Sequence, residues 1–169
     1  MPTGTPGHLK TFGYLGLHRY SLTFCTDHRR HLLVGPEAVG LVLTQISRAA
    51  AENQFAVIAY CFMPDHVHLL LEGRSEASDC KRFIARAKQY SGFHFSRTYH
   101  QVLWQRHGFE RTLPDEEESL IAAKYIVENP IRAGLVQRVA DYPYVGSLEY
   151  SLADLVEGVE RPRQRSRSG

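Results

Sequence analysis

Residues 55–73 decide the fold, and they read FAVIAYCFMPDHVHLLLEG. The apolar run at residues 55–62 is nearly continuous and has the composition of a β-strand. A Pro-Asp turn signal follows at residues 63–65, and residues 66–73 then return with the composition of a second strand. We therefore expect the two runs to pair as an antiparallel hairpin.

The segments on either side of this hairpin complete an alternating order of strands and helices. The predicted elements outside it are strands at residues 20–26 and 109–113 and helices at residues 36–53, 78–96 and from 115 onward. Pro130 must end or kink the last helix because proline has no backbone N–H. The order β-α-β-β-α-β followed by a helix predicts an α+β fold with the ferredoxin-like split βαβ arrangement. We expect an antiparallel sheet with its helices on one face.

Length and composition favour one ordinary globular domain. The chain has 169 residues, of which 43% are hydrophobic and 22% charged, a composition too apolar for a disordered protein. No apolar run reaches the ~18 residues of a membrane span, and the first residues lack the basic and apolar regions of a secretory signal. The three cysteines are scattered and form no C-x-x-C pair. We expect a cytoplasmic protein with no membrane partner.

The C-terminal segment differs in composition from the rest of the chain. Residues 1–150 are expected to form one domain, and residues 151–169 a basic, flexible C-terminal tail. Arginines stand at positions 161, 163, 165 and 167 of that tail, separated by Pro, Gln and Ser. Both a contact with nucleic acid and a solvated arm fit this pattern.

His66 and His68 are the first candidate functional residues. Side chains alternate across a strand, so positions i and i+2 share one face of the sheet. Two imidazoles side by side on one face can hold a divalent metal ion. A pair of partly exposed surface histidines without a ligand is the alternative that so short a motif leaves open.

Tyr125 and Asn129 are the second candidate pair, and they lie near the end of the third predicted helix. Residues four apart on a helix share a face, so a phenol and an amide carbonyl could act together as a nucleophile and a metal ligand. Helical tyrosines also serve in packing, and an asparagine before a proline can simply end a helix. The spacing alone leaves both interpretations open.

Three segments of the chain resemble the HUH single-tyrosine transposases, in which two histidines flank a hydrophobic residue. Residues 60–71, YCFMPDHVHLLL, resemble the histidine segment of that superfamily. Residues 125–136, YIVENPIRAGLV, resemble the tyrosine segment of its REP-associated branch, and residues 103–109, LWQRHGF, resemble the segment that lies between the two. The resemblance runs in order from about residue 17 to residue 150.

The resemblance implies an enzyme that cuts and rejoins single-stranded DNA. It implies Mg²⁺ or Mn²⁺ bound by His66 and His68, with Asn129 as the third ligand. It also implies that Tyr125 is the nucleophile, which forms a 5′-phosphotyrosine link to DNA. A glutamine is the more familiar third ligand in the insertion-sequence branch, so Asn129 departs from that pattern. The expected partner is single-stranded or hairpin DNA of palindromic sequence, and both a monomer and a homodimer are compatible with the family.

Basic and aromatic side chains are candidates for contacts with DNA. The candidates for phosphate contacts are Arg82, Arg86 and Lys88 on the second predicted helix and Arg132 after Tyr125. The candidates for stacking on unpaired bases are Tyr90, Trp104 and Phe109. Each charge is equally compatible with a solvated surface group, and Tyr90 is the main competitor of Tyr125 as the nucleophile.

Two other functions remain open at this point. A metal-dependent phosphodiester hydrolase would use His66, His68 and an acid such as Asp65 or Glu72. Strand alternation predicts that Asp65 faces away from His66, and Glu72 is two strand steps beyond His68, so both acids fit poorly. A non-catalytic module that binds single-stranded nucleic acid would use the same kind of sheet, although the usual aromatic strand motif of that class is absent.

Overall fold

Five strands form one antiparallel sheet in the computed structural model, which describes residues 16–161. The strands are β1 (Arg19–Cys25), β2 (Phe55–Met63), β3 (His66–Gly73), β4 (Phe109–Leu113) and β5 (Val145–Gly146). The helices of the described residues are α1 (Pro36–Glu52), α2 (Cys80–Tyr99), α3 (Glu116–Arg132) and α4 (Leu152–Glu160). The strand order across the sheet is β4-β1-β3-β2-β5, so β3 is central.

The predicted hairpin is β2 and β3, which pair antiparallel across the turn at Pro64 and Asp65. β3 also pairs antiparallel with β1 on its other side. His68 therefore stands opposite Cys61 on β2 and opposite Thr23 on β1. Because both edges of β3 are hydrogen-bonded, the backbone that carries the two histidines is held in a fixed register.

The predicted α+β fold with an antiparallel sheet is confirmed, but helices cover both faces of the sheet rather than one. One hydrophobic core contains Leu69 of β3 and the apolar sides of α1 and α2. The other contains Leu70 and the apolar sides of α3 and α4. α1 and α2 therefore share one face of the sheet, as expected, but α3 and α4 cover the other face. β3 carries leucines on both of its faces, and each face needs a cover that excludes water.

α3 begins at the predicted position but continues past Pro130. Its N-cap is Asp115, whose side chain accepts a hydrogen bond of 2.8 Å from the backbone N–H of Glu118. Pro130 neither ends nor interrupts the helix, which continues to Arg132. The reason is that Pro130 lies in the last turn, where the missing N–H removes a single i→i−4 hydrogen bond. Tyr125 and Asn129 therefore lie on one continuous helix.

Residues 152–160, within the segment expected to be a flexible tail, form α4. Ser151 caps this helix by accepting a hydrogen bond of 3.1 Å from the backbone N–H of Asp154, and Leu155 is buried in the core next to α3. Leucine and valine at helical spacing explain why this part packs. The rest of that segment, residues 162–169 with three of its arginines, lies outside the described residues. No helix within residues 16–161 is long and apolar enough to cross a membrane.

Candidate active site

His66 and His68 lie side by side on β3, as strand alternation predicts. Their ring centroids are 4.7 Å apart with the rings at 83° to each other. Their Nε2 atoms are only 3.1 Å apart, so the two imidazoles converge on one point. Cis ligands of an octahedral ion with metal–ligand bonds of about 2.1 Å would be separated by about 3 Å. The spacing of the two nitrogens therefore fits a divalent ion.

Each histidine also has a neighbour within hydrogen-bond distance of its other ring nitrogen, Nδ1. His66 Nδ1 lies 2.7 Å from Asp65 Oδ1, and His68 Nδ1 lies 2.9 Å from Thr23 Oγ1. Asp65 in turn accepts a hydrogen bond of 2.9 Å from Arg29 Nε through its other oxygen. These contacts orient both rings, as the outer hydrogen bonds of metal-binding histidines commonly do.

The expectation that Asp65 faces away from His66 is wrong. Asp65 belongs to the turn that precedes β3, and the alternation of side chains applies only within a strand. Sequence reasoning also missed Thr23 as a partner of His68. That contact depends on the register of β1 against β3, which no local pattern in the chain reveals.

The electrostatics of the site favour a neutral His68 and a charged Asp65. Burial lowers the pKa of His68 to about 4, and the nearby positive charges of His66, Arg132 and Arg29 act in the same direction. Burial raises the pKa of Asp65, but the hydrogen bonds from His66 and Arg29 outweigh this effect and hold the pKa below its usual value. A metal-binding imidazole must be neutral, and His68 meets that requirement.

Tyr125 on α3 comes close to the histidine pair. Its ring centroid lies 5.9 Å from that of His68, with the edge of one ring towards the face of the other. The Tyr125 side chain is nevertheless accessible, since the residue is 54% exposed. The guanidinium carbon of Arg132 lies 3.8 Å from the centroid of the Tyr125 ring, and the same guanidinium donates a hydrogen bond to the Tyr125 carbonyl oxygen. The site thus combines two imidazoles, a phenol and a cation.

Asn129 lies one helical turn after Tyr125 and has an unsatisfied amide. Its side-chain nitrogen is buried and has no hydrogen-bond partner among residues 16–161. The amide could equally be turned to present its oxygen, which is a suitable donor for a hard cation. Within the described part of the chain, no three His, Cys, Asp or Glu side chains are grouped to hold a metal ion. Asn129 therefore stays a prediction as the third ligand, with a buried amide nitrogen that no described residue satisfies.

A family model matches the part of the chain that carries the candidate site. The model described as "Transposase IS200 like" matches residues 15–129, which is more than half of the chain. The chain belongs to the IS200-like transposase family. This matched stretch includes His66, His68, Tyr125 and Asn129.

Relatives of this IS200-like chain include two named transposases. A protein of Haemophilus influenzae assigned as a REP-associated tyrosine transposase is 26% identical over 109 residues, which are 53% of this chain and 57% of that relative. The ISDra2 transposase TnpA of Deinococcus radiodurans is 46% identical over 61 residues, which are 35% of this chain and 41% of that relative. The matched segments thus span about half of each curated relative.

Two solved structures resemble this IS200-like transposase in fold. One is a REP-associated tyrosine transposase bound to a REP hairpin, with a TM-score of 0.70, 18% identity, and coverage of 90% of this chain and 88% of that one. The other is a protein of Deinococcus radiodurans described as a transposase, with a TM-score of 0.52, 27% identity, and coverage of 71% of this chain and 95% of that one. At these identities the likeness concerns the fold.

The basic residues predicted to contact DNA are divided between the two faces of the sheet. α2 packs on the face opposite the histidine pair, so Arg82, Arg86 and Lys88 lie on the far side of the sheet. Lys88 Nζ also donates hydrogen bonds of 3.0 and 3.4 Å to the carbonyl oxygens of Gln105 and Arg106, and burial lowers its pKa. Of these four candidates, Arg132 alone lies beside Tyr125.

Tyr90 lies away from the histidine pair. It is on α2, where its hydroxyl donates a hydrogen bond of 2.5 Å to Glu52 Oε2 and its ring lies 3.8 Å from the guanidinium carbon of Arg48. These contacts connect α2 to α1 on the opposite face of the sheet. Tyr125 is therefore better placed than Tyr90 to act with the histidines.

Trp104 and Phe109, both candidates for base stacking, have contrasting environments. Trp104 is buried, and its Nε1 donates a hydrogen bond of 2.8 Å to Ser91 Oγ. Phe109 is 70% exposed at the start of edge strand β4. It stands opposite Thr23, which stands opposite His68, and directly paired residues of an antiparallel sheet point to the same face. Phe109 is therefore an accessible aromatic residue on the face that carries the histidines.

Proposed function

We propose that this chain is a metal-dependent transposase that cuts and rejoins single-stranded DNA through a 5′-phosphotyrosine on Tyr125. The observation that carries the proposal is the distance of 5.9 Å between the rings of Tyr125 and His68, beside two converging imidazole nitrogens. Membership of the IS200-like transposase family supports DNA as the substrate.

His66, His68 and Asn129 would hold a Mg²⁺ or Mn²⁺ ion. A bound ion of this kind would supply positive charge to offset the negative charge that develops as the phosphodiester is cleaved. The two imidazoles contribute nitrogen ligands, and the Asn129 amide contributes the oxygen that these hard cations prefer. The unsatisfied amide of Asn129 supports this assignment.

Tyr125 performs the covalent step in this proposal. Its hydroxyl oxygen attacks the phosphorus, the bond from phosphorus to the 3′-oxygen breaks, and the products are a 5′-phosphotyrosine and a free 3′-OH. A phenol is a poor nucleophile near neutral pH unless its oxyanion is stabilised. The guanidinium of Arg132, stacked on the Tyr125 ring, supplies a positive charge for that purpose. A 3′-OH from another strand then attacks the phosphotyrosine, which rejoins the DNA and releases Tyr125.

The substrate we propose is single-stranded DNA that folds into hairpins at palindromic sequences. A protein of similar fold is bound to a REP hairpin in its solved structure, which supports this choice of substrate. Arg132 is the proposed phosphate contact nearest to the tyrosine. Arg82, Arg86 and Lys88 would contact DNA on the opposite side of the sheet.

The test uses one hairpin-containing oligonucleotide labelled at its 5′ end and the same oligonucleotide labelled at its 3′ end. With Mg²⁺ or Mn²⁺, the 3′ label should become attached to the protein, and the 5′ label should leave on a fragment that ends in a 3′-OH. Tyr125→Phe should bind the oligonucleotide but form no adduct, whereas Tyr90→Phe should form the adduct normally. Cleavage without an adduct would indicate a hydrolase, and binding without metal dependence or cleavage would indicate a binding module. Either outcome would contradict the proposal.

A further inference from the structure

An open pocket lies at the edge of the sheet, between α2 and the segment that leads into β4. Its volume is about 370 Å³, within the range of about 300–1,000 Å³ that is usual for ligand pockets. One wall is the side of α2 that carries Lys81, Ile84 and Lys88, which are spaced three and four residues apart on the helix. Residues 106–110 form the opposite wall. The pocket is distinct from the candidate active site.

Two contacts hold the second wall of this pocket in place. Lys88 Nζ, on the helix wall, donates hydrogen bonds of 3.0 and 3.4 Å to the carbonyl oxygens of Gln105 and Arg106. Gly108 lies so close to β1 that a Cβ there would stand 2.6 Å from the carbonyl oxygen of Thr23. Because both walls are fixed by contacts within the protein, binding of a ligand requires little further ordering of the chain.

Positive charge dominates the lining of the pocket. Lys81, Lys88 and Arg106 contribute three cations, and Glu110 is the one carboxylate among the described residues that line it. The Arg106 side chain is exposed and makes no hydrogen bond or ion pair with any of residues 16–161. A guanidinium has five N–H donors in a planar fork that matches phosphate. The lining therefore favours a ligand that carries a phosphate group.

Edge strand β4 separates this pocket from the face that carries the histidines. Phe109 points to the histidine face, and Glu110, the next residue, points to the side of α2 because side chains alternate along a strand. A DNA strand that runs from His68 past Phe109 and on to α2 crosses β4 at this point. That path brings its backbone over the pocket.

We propose that the pocket binds a phosphodiester group of the single-stranded DNA where the strand crosses the edge of the sheet, with Arg106 as the principal contact. The cationic lining complements the charge of the DNA backbone, and the exposed ring of Phe109 connects the pocket to the active site. A phosphate contact carries no sequence information but fixes the register of the strand relative to Tyr125. The inference rests on the proposed function, from which it takes single-stranded DNA as the ligand.

The first experiment locates the phosphate by measuring equilibrium binding with a chelator present. The probe is a hairpin-containing oligonucleotide in which one phosphate at a time is replaced by an uncharged methylphosphonate. Replacement of the contacted phosphate should weaken binding to the parent chain by about two- to fivefold, the range of an exposed ion pair. The same replacement should leave binding to Arg106→Ala unchanged, because the two partners are then coupled. Equal sensitivity of both proteins at every phosphate would overturn the inference.

The second experiment measures the salt dependence of binding to the unmodified oligonucleotide. Arg106→Ala should lower the size of the log–log slope by about 0.7, whereas Arg106→Lys should keep it. Arg97→Ala removes the same charge from α2 outside the pocket and should leave the slope unchanged. Glu110→Gln removes the carboxylate from the pocket and should strengthen binding by about two- to fivefold. An equal loss of slope in Arg106→Ala and Arg97→Ala would show a general effect of charge and contradict the inference.

The outcomes separate this inference from the proposed function. If the parent chain shows the predicted binding pattern but forms no adduct on Tyr125, the covalent chemistry is wrong and the pocket assignment stands. If the adduct forms and Arg106→Ala keeps the slope and the pattern of the parent chain, the pocket assignment alone is wrong. If the parent chain does not bind the oligonucleotide, both are wrong. Arg106 is exposed, so its replacement should leave the fold intact.

Discussion

Arg132 contacts both the ring and the backbone of Tyr125. The guanidinium stacks on the phenol ring and donates a hydrogen bond to the carbonyl oxygen of Tyr125, about two helical turns before Arg132. The contact to the ring places a permanent positive charge beside the proposed nucleophile. Positive charge near a developing oxyanion stabilises it, and less so in an exposed site than in a buried one.

Replacement of Arg132 should slow the covalent step more than it weakens DNA binding. We expect Arg132→Ala to reduce the rate of adduct formation by about tenfold or more, because the charge beside Tyr125 is lost. Arg132→Lys keeps the charge without the planar stacking and should be intermediate. Single-turnover rates at saturating oligonucleotide measure this step. Equal losses in rate for Arg132→Ala and for Arg138→Ala, an exposed arginine paired with Asp141, would contradict the prediction.

His68 should make the metal-free protein less stable in mild acid. Burial lowers its pKa to about 4, whereas a histidine in the unfolded chain has a pKa of about 6.5. Below pH 6.5 the unfolded chain takes up a proton that the folded protein does not, so stability is complete above this pH and falls as the pH decreases towards 4. The full shift corresponds to about 3 kcal/mol as an order of magnitude.

Urea unfolding with a chelator present, at pH 7.5 and at pH 5, measures this effect of His68. The loss of unfolding free energy between the two pH values should be smaller in His68→Gln than in the parent chain. His107→Gln, in an exposed position, is the control and should lose as much as the parent. An identical pH dependence in His68→Gln and the parent would show that another group is responsible.

α2 and α3 carry the two sets of basic candidates, and the sheet separates them. Arg82 and Arg86 of α2 lie over the core that contains Leu69, whereas Arg132 of α3 lies over the face that contains His68. A DNA strand that contacts both sets must pass around the sheet. The salt dependence of binding can distinguish the two surfaces. The logarithm of the binding constant falls linearly with the logarithm of the salt concentration, and each phosphate contact on a single strand contributes about 0.7 to the size of that slope.

Arg82→Ala combined with Arg86→Ala tests the surface of α2. If both arginines contact phosphates, the double variant should lower the slope by about 0.7 for each lost contact and weaken binding without dependence on sequence. Titrations of a labelled oligonucleotide at several salt concentrations measure the slope. Arg48→Ala on α1 is the control. An unchanged slope would restrict the DNA to the face of His66 and His68.

The sheet as a whole places an exposed aromatic residue in line with the histidine pair. Phe109, Thr23 and His68 stand opposite one another on β4, β1 and β3. Neighbouring strands are about 4.8 Å apart, so the backbones at Phe109 and His68 are about 10 Å apart. A base that stacks on Phe109 would then lie one or two nucleotides from a phosphate at the histidines.

Phe109→Ala should weaken the binding of single-stranded DNA without preventing the covalent step. Stacking on an aromatic side chain contributes about 1–3 kcal/mol for each base, so we expect a loss of affinity of about 5- to 100-fold. Phe109→Tyr should bind normally because it keeps the ring. Val102→Ala, another exposed apolar position but outside this line of residues, is the control. Equal affinity of Phe109→Ala and the parent for the oligonucleotide would contradict the stacking role.

Local patterns in the sequence determined much of the architecture of this protein. The hairpin of β2 and β3, the shared face of His66 and His68, and the helix that carries Tyr125 were all predicted from the chain. Each of these features depends on residues a few positions apart, where the periods of strands and helices dictate which side chains share a face. The N-cap at Asp115 was predictable for the same reason.

Contacts between distant segments were decided by the tertiary structure alone. The register of β1 against β3 brings Thr23 to His68, and the turn before β3 brings Asp65 to His66 and Arg29. The side of the sheet on which each helix packs separates Tyr90 from the histidines and brings Tyr125 to them. Periodicity tells which face of a helix is apolar, but it does not tell which face of the sheet will bury it. That choice depends on how all the apolar surfaces can be covered at once, and β3 required a cover on both sides.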